Sequence, residues 1–217
     1  MGGLKPPSKN ALWALFFLCA GIELILQAAD YGLIGHTRLR QLFVEYGGFW
    51  PGLWGNWRPN FTMQPWSMFI TYGFLHAGMG HFVVNMITLW SIGSLVLQRV
   101  RTGRFLLIYG LSIIGGAVGF TLLVPDFRPM VGASGALFGL IGSVLAWRYV
   151  DLFTENQTLW PVAQAVGGLV LLNLVMWWAM SGQLAWQTHL GGFVVGWITA
   201  LLVDPRPQPL DDIDPSS

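Results

Sequence analysis

Val131-Gly132-Ala133-Ser134-Gly135-Ala136-Leu137-Phe138-Gly139-Leu140-Ile141-Gly142 is the stretch that decides how this chain folds and what it can do. A hydroxyl sits between glycines at the head of an apolar segment of helix length, Ala133 to Val150. Ser134 and Phe138 are four apart, so on a helix they share one face. Gly135, Gly139 and Gly142 form a stripe of small residues suited to close helix approach. Alone, a serine in such a stripe is a packing residue. Its meaning depends on what the rest of the chain offers.

Composition sets the solvent. Of 217 residues, 54% are hydrophobic and 10% charged, against roughly 25% charged in a soluble domain. Mean hydropathy is +0.57. Such a chain cannot cover a water-facing surface and must largely face lipid. The net charge of +1 and the absence of a Lys/Arg cluster give no case for nucleic acid. Cys19 is the single cysteine, which excludes an intrachain disulfide and any multi-cysteine metal site. No metal or other cofactor is expected. Twelve tryptophans fit an interfacial aromatic belt.

The expected fold class is an all-α polytopic membrane protein of six apolar spans. These are Ala11–Ala29, His81–Leu97, Phe105–Val124, Ala133–Val150, Leu159–Met180 and Thr188–Val203, each near the ~20 residues that cross a bilayer. The second starts earlier, near Phe69, if Thr71 to Gly80 are helical or buried. The first is too long for a signal-peptide core, and Glu23 and Gln27 stand where a cleavage site would need small residues. With the N-terminus inside, the inner segments hold Lys5, Lys9, Arg99, Arg101, Arg104, Arg148 and Arg206. The outer ones hold Arg38, Arg40, Arg58 and Arg128. The balance favours cytoplasmic termini. Residues 1–10 then form a cytoplasmic lead, 11–203 one six-span domain, and 204–217 a disordered cytoplasmic tail. The long connection 31–66, with Trp50, Trp54, Trp57 and Trp66, is too aromatic to be disordered. It is expected to fold on the outer leaflet and dip into it. Glu23 is expected to make a polar contact with this loop.

Chemistry enters through polar groups in apolar spans, which are costly there and tend to be functional. His81 and Asn85 share a helix face. His189 precedes Gly192 and Gly196, a second small-residue stripe. Two such stripes allow backbone-to-backbone packing, which would bring Ser134 within reach of His189 as a general base.

Three motifs now stand together: His76-Ala-Gly-Met-Gly-His81-Phe-Val-Val-Asn85, Gly132-Ala-Ser134-Gly-Ala-Leu-Phe-Gly139, and His189-Leu-Gly-Gly192-Phe-Val-Val-Gly196. In this order and spacing the chain resembles the rhomboids, a family of intramembrane serine proteases, over about Ala11 to Val203. The resemblance implies a rhomboid-like fold with a buried dyad of Ser134 as nucleophile and His189 as base. It implies oxyanion donors in His81, Asn85 and the Ser134 backbone N–H, and Phe138 packed beside the base. His76 would tie the first loop to the core, Gly132 would allow the tight turn, and Gly135 and Gly192 would keep the site closely packed. Substrates would be transmembrane segments of membrane proteins, cut near the outer face of a bacterial inner membrane. Residues 125–131 would dip to the serine, and Met180 to Trp186 would cap the cavity.

Two positions depart from the family pattern. Ser67 follows Trp66 where an arginine is common, and Leu97 stands where a glutamate is common. Both concern the scaffold of the first loop and not the reacting groups. The main rival is an inactive rhomboid-like protein that binds membrane proteins without cutting them. A zinc protease would need His-Glu-x-x-His, which the chain lacks. An aspartyl intramembrane protease would need paired intramembrane aspartates. A transporter would be expected to show two related halves.

Overall fold

The structure is a computed structural model that describes residues 9–35, 37–123 and 128–204. These residues form eight α-helices: α1 Asn10–Asp30, α2 Leu39–Gly47, α3 Gln64–Thr71, α4 Met79–Arg99, α5 Thr102–Leu123, α6 Ser134–Thr154, α7 Trp160–Ala179 and α8 Trp186–Leu202. Five of them, α1, α4, α5, α6 and α7, are long and apolar enough to cross a membrane. The sixth expected span is α8, whose 17 residues lie at the lower end of the ~17–25 that suffice. The expected cytoplasmic lead and tail fall almost wholly outside the described residues.

The centre of the molecule is α5, α6 and α8, and small residues are what bring them together. The Cα of Gly192 faces the carbonyl of Gly135, and that of Gly196 faces Gly139, so closely that neither has room for a Cβ. At Gly142 a Cβ would stand 2.5 Å from the Phe193 carbonyl. The α5 helix brings a third stripe that the sequence reading did not single out. A Cβ on Gly119 would lie 2.8 Å from the Gly191 Cα, and one on Gly115 would lie 2.5 Å from Val195. Backbones this close expose carbonyls to neighbouring donors. Ser143 Oγ donates to the Gly196 carbonyl at 3.1 Å, and Trp147 Nε1 to that of Ala200 at 3.0 Å.

The outer helices differ sharply. The α1 helix packs on α4, and its Leu12, Cys19, Glu23 and Leu26 are buried. The α7 helix is apolar around its circumference, yet Val162 is its one buried residue. Leu171, Leu172, Leu174, Val175 and Trp178 are exposed. A helix of this kind is stable only where the surroundings are themselves apolar.

The connection from 31 to 66 is ordered in its described part. It holds α2, a 3-10 turn at Pro51–Trp54, and the start of α3. The α3 helix ends at Thr71 and passes through a second 3-10 turn, Tyr72–Phe74, so α4 begins at Met79 and not near Phe69. Phe49 anchors the loop. It is fully buried, meets Phe69, Tyr72 and Phe120 edge-on, and exchanges two backbone hydrogen bonds of 2.9 Å with Met130. Glu23 meets the loop as expected. Arg40 of α2 donates to both its carboxylate oxygens at 2.9 Å, to Asp30 at 2.6 Å and to the His76 carbonyl at 2.8 Å.

Candidate active site

Ser134 is the first residue of α6, and the turn before it explains why. Gly132 has φ +132°, a conformation that a side chain resists. Its N–H donates to the Tyr72 carbonyl at 2.9 Å, and Met130 just before it is paired with Phe49. The approach to the serine is therefore held from two sides by the first loop and its continuation. The first N–H groups of a helix have no partner within it, so the start of α6 offers donors and a positive dipole end beside the hydroxyl. Of the segment expected to dip to the serine, 125–127 lie outside the described residues, and 128–131 are non-helical, with Met130 bridged to Phe49.

The α6–α8 approach brings His189 to Ser134. His189 Nε2 lies 3.0 Å from Ser134 Oγ. The imidazole stacks on Phe138 at a centroid distance of 4.1 Å and 5° between planes. Gly135 and Gly192 make that approach possible. A Cβ on Gly135 would stand 2.8 Å from Thr188, the residue before the histidine. The Thr188 hydroxyl in turn rests on the Met130 sulfur.

His81 lies across the Gly132 turn. Its Nδ1 accepts the Ala77 N–H at 3.2 Å, so a neutral ring carries its proton on Nε2. A Cβ placed on Gly132 would be 3.0 Å from that Nε2 and 3.7 Å from Ser134 Oγ. The space between the histidine edge and the hydroxyl is thus open because residue 132 has no side chain. Asn85 is buried, and its amide donates to the His81 carbonyl at 2.8 Å with one N–H to spare. His76 receives Arg40 of the loop at its backbone carbonyl. Its buried ring has no hydrogen-bond partner among the described residues and packs edge-on against His81 and Phe82.

A cavity of about 530 Å³ opens beside the histidine between α6, α7 and α8. Its walls are apolar apart from His189 and Asn173. Asn173 was missed from sequence, although an amide in the middle of a span as apolar as α7 is the kind of signal that marks function. No group of three metal-ligating side chains occurs among the described residues. Ser67, at the first departure, is half-buried, and its hydroxyl oxygen is shielded and unpartnered among the described residues. Leu97, at the second, packs into the core. The polar tie at that end of the bundle is Arg99 of α4, bidentate to Asp151 of α6 at 2.7 and 2.9 Å.

The rhomboid domain profile matches residues 63–206, from the start of α3 to just past α8. The chain belongs to the rhomboid family. It is 33% identical over 135 residues to the rhomboid protease GluP of Bacillus subtilis, covering 62% of this chain and 25% of that one. It is 33% identical over 151 residues to RHOMBOID-like protein 1 of Arabidopsis thaliana, covering 67% and 36%. To the putative rhomboid protease YdcA of Bacillus subtilis it is 29% identical over 137 residues, covering 63% and 67%. The chain thus spans between a quarter and less than half of most of these curated relatives' lengths. It is a multi-pass, helical membrane protein of this family.

Proposed function

We propose that this rhomboid is an intramembrane serine endopeptidase that hydrolyses peptide bonds within or near transmembrane segments of other membrane proteins. The observation that carries the reading is the 3.0 Å contact between Ser134 Oγ and His189 Nε2 at the head of α6. In this reading Ser134 attacks the scissile carbonyl carbon as its proton passes to Nε2. The oxyanion that forms faces His81 Nε2–H, the backbone N–H of Ser134 and the free N–H of Asn85. Each preorganised donor in a site of low dielectric is worth about 3 kcal/mol. His189 then returns the proton to the departing amine, and water, taking the reverse path, releases the acyl group. No cofactor or metal takes part.

The wider expectations belong to the same proposal. They are six spans with α8 as the last, cytoplasmic termini, an inner-membrane location, a site open to the outer face, and the 180–186 turn as a cap. The basic residues and the site's place at the head of α6 support them.

The test is cleavage of a transmembrane substrate by the detergent-solubilised protein. Cleavage should be lost in Ser134→Ala and in His189→Ala. Undiminished cleavage by Ser134→Ala would sink the proposal. A fluorophosphonate should label Ser134 in the unaltered protein and fail to label His189→Ala. Absence of labelling in the unaltered protein would favour the inactive, binding form of rhomboid.

A further inference from the structure

We infer that Asn173 of α7 is the positioning residue for His189, fixing which ring nitrogen faces Ser134. For turnover this rests on the proposed peptidase reading; for the state of the ring it does not.

The inference follows a chain of hydrogen bonds outward from a backbone carbonyl. Asn173 Nδ2 lies 2.8 Å from the carbonyl of Leu169, one turn back on the same helix. A carbonyl only accepts, so the amide nitrogen must be the atom placed there. The other end of the amide is therefore an oxygen. That oxygen lies 2.6 Å from His189 Nδ1. An amide oxygen also only accepts, so Nδ1 must carry the proton. In a neutral imidazole the second nitrogen is then bare, and it faces the Ser134 hydroxyl at 3.0 Å. Leu169 thus sets Asn173, Asn173 sets His189, and His189 accepts from Ser134. In the opposite tautomer the amide oxygen would meet a lone pair, and Nε2 would hold a proton it could not take from serine.

Two surroundings sharpen the effect. The walls of the cavity next to Nδ1 are apolar, so no other wall side chain competes for that proton, and low polarity strengthens the bond. The Phe138 stack holds the plane of the ring but not its tautomer, because a phenyl face does not distinguish the two nitrogens. Orientation about the normal and proton placement are left to Asn173. The amide does here what a buried carboxylate does in a three-residue hydrolytic site, without adding a charge to an apolar cavity.

The experiment compares the unaltered protein with Asn173→Leu and Asn173→Asp. Leucine keeps the volume and removes the acceptor; aspartate keeps the acceptor. Nitrogen NMR of protein labelled in histidine reads the tautomer directly, with the His189 signal identified by its loss in His189→Ala. The Nδ1–H form should dominate in the unaltered protein and in Asn173→Asp, and be lost in Asn173→Leu. With a cleaved substrate, kcat should fall by about tenfold or more in Asn173→Leu, with KM unchanged, and recover in Asn173→Asp. A ring that keeps its tautomer in Asn173→Leu, or a kcat that does not fall, overturns the inference. A side chain that merely filled space would show that second pattern. If Asn173→Leu fails to fold, Asn173→Asp decides the matter, since loss of the Nδ1–H form there overturns it equally. The tautomer can be read in a protein that cleaves nothing, so failure of the peptidase reading remains distinguishable from failure of this one.

Discussion

Gly132 shows how much one missing side chain can do at the residue scale. Its positive φ lets the chain turn into α6, and its bare Cα leaves open the space between His81 Nε2 and Ser134 Oγ. In Gly132→Ala both functions are lost at once. A methyl group would meet the His81 ring at Cε1, 2.7 Å away, where the oxyanion is proposed to form. Turnover should fall about 100-fold or more, the loss typical of one oxyanion donor. Circular dichroism and melting temperature should change far less than the rate. A variant that cleaves at the original rate would remove His81 and this space from the proposed mechanism.

Helices α7 and α8 make the contrast at the element scale. Gly192 of α8 sits against the Gly135 carbonyl, a backbone atom that cannot swing aside. Gly168 of α7 has nothing within 4 Å of where its Cβ would be. The same substitution should therefore give opposite results. Gly192→Ala should force α8 away from α6, at an overpacking cost of about 1–3 kcal/mol, and slow the labelling of Ser134 because His189 moves with its helix. Gly168→Ala should leave both stability and labelling unchanged. Equal behaviour of the two, read by melting temperature and labelling rate, would show that the stripe does not hold Ser134 and His189 together.

For the whole molecule, the question is what locks the first loop onto the bundle. Arg40 bridges α2 to Glu23 and Asp30 of α1 and to the backbone at His76. Burial works against its charge, but the hydrogen bonds and charges of Glu23 and Asp30 outweigh that and raise its pKa above the ordinary arginine value. Glu23 is 1% exposed, so removing Arg40 alone strands a carboxylate away from water. Arg40→Leu should destabilise by about 3–5 kcal/mol, whereas Glu23→Leu with Arg40→Leu should recover most of the loss. Thermal melting in one detergent checks this. A double variant as unstable as Arg40→Leu would show that the pair is not what anchors the loop.

Legibility of the sequence followed from how each feature is encoded. The long helices could be read because their hydropathy is local to each segment. Ser134, His81, Asn85 and His189 stood out as polar groups in apolar stretches, and the glycine stripes gave a reason for closeness. Glu23 could be expected to meet the loop, but the loop holds three arginines, Arg38, Arg40 and Arg58, and only the folded chain selects Arg40. The Phe49–Met130 pairing and the helices inside the loop were not readable, because they depend on contacts between distant segments. Asn173 was readable as an amide in an apolar span, but its orientation depends on Leu169 and its role on α8.

The order in which the parts occur along the chain has a consequence for biosynthesis. Phe49 and Tyr72, which hold the turn before Ser134, are made early; Ser134 follows; His189 arrives later still, on α8, the last of the described helices. On the proposed roles, a nascent chain carries its serine through α6 and α7 with no base to activate it. On these roles, the serine therefore stays without its base until α8 is made and packs against α6.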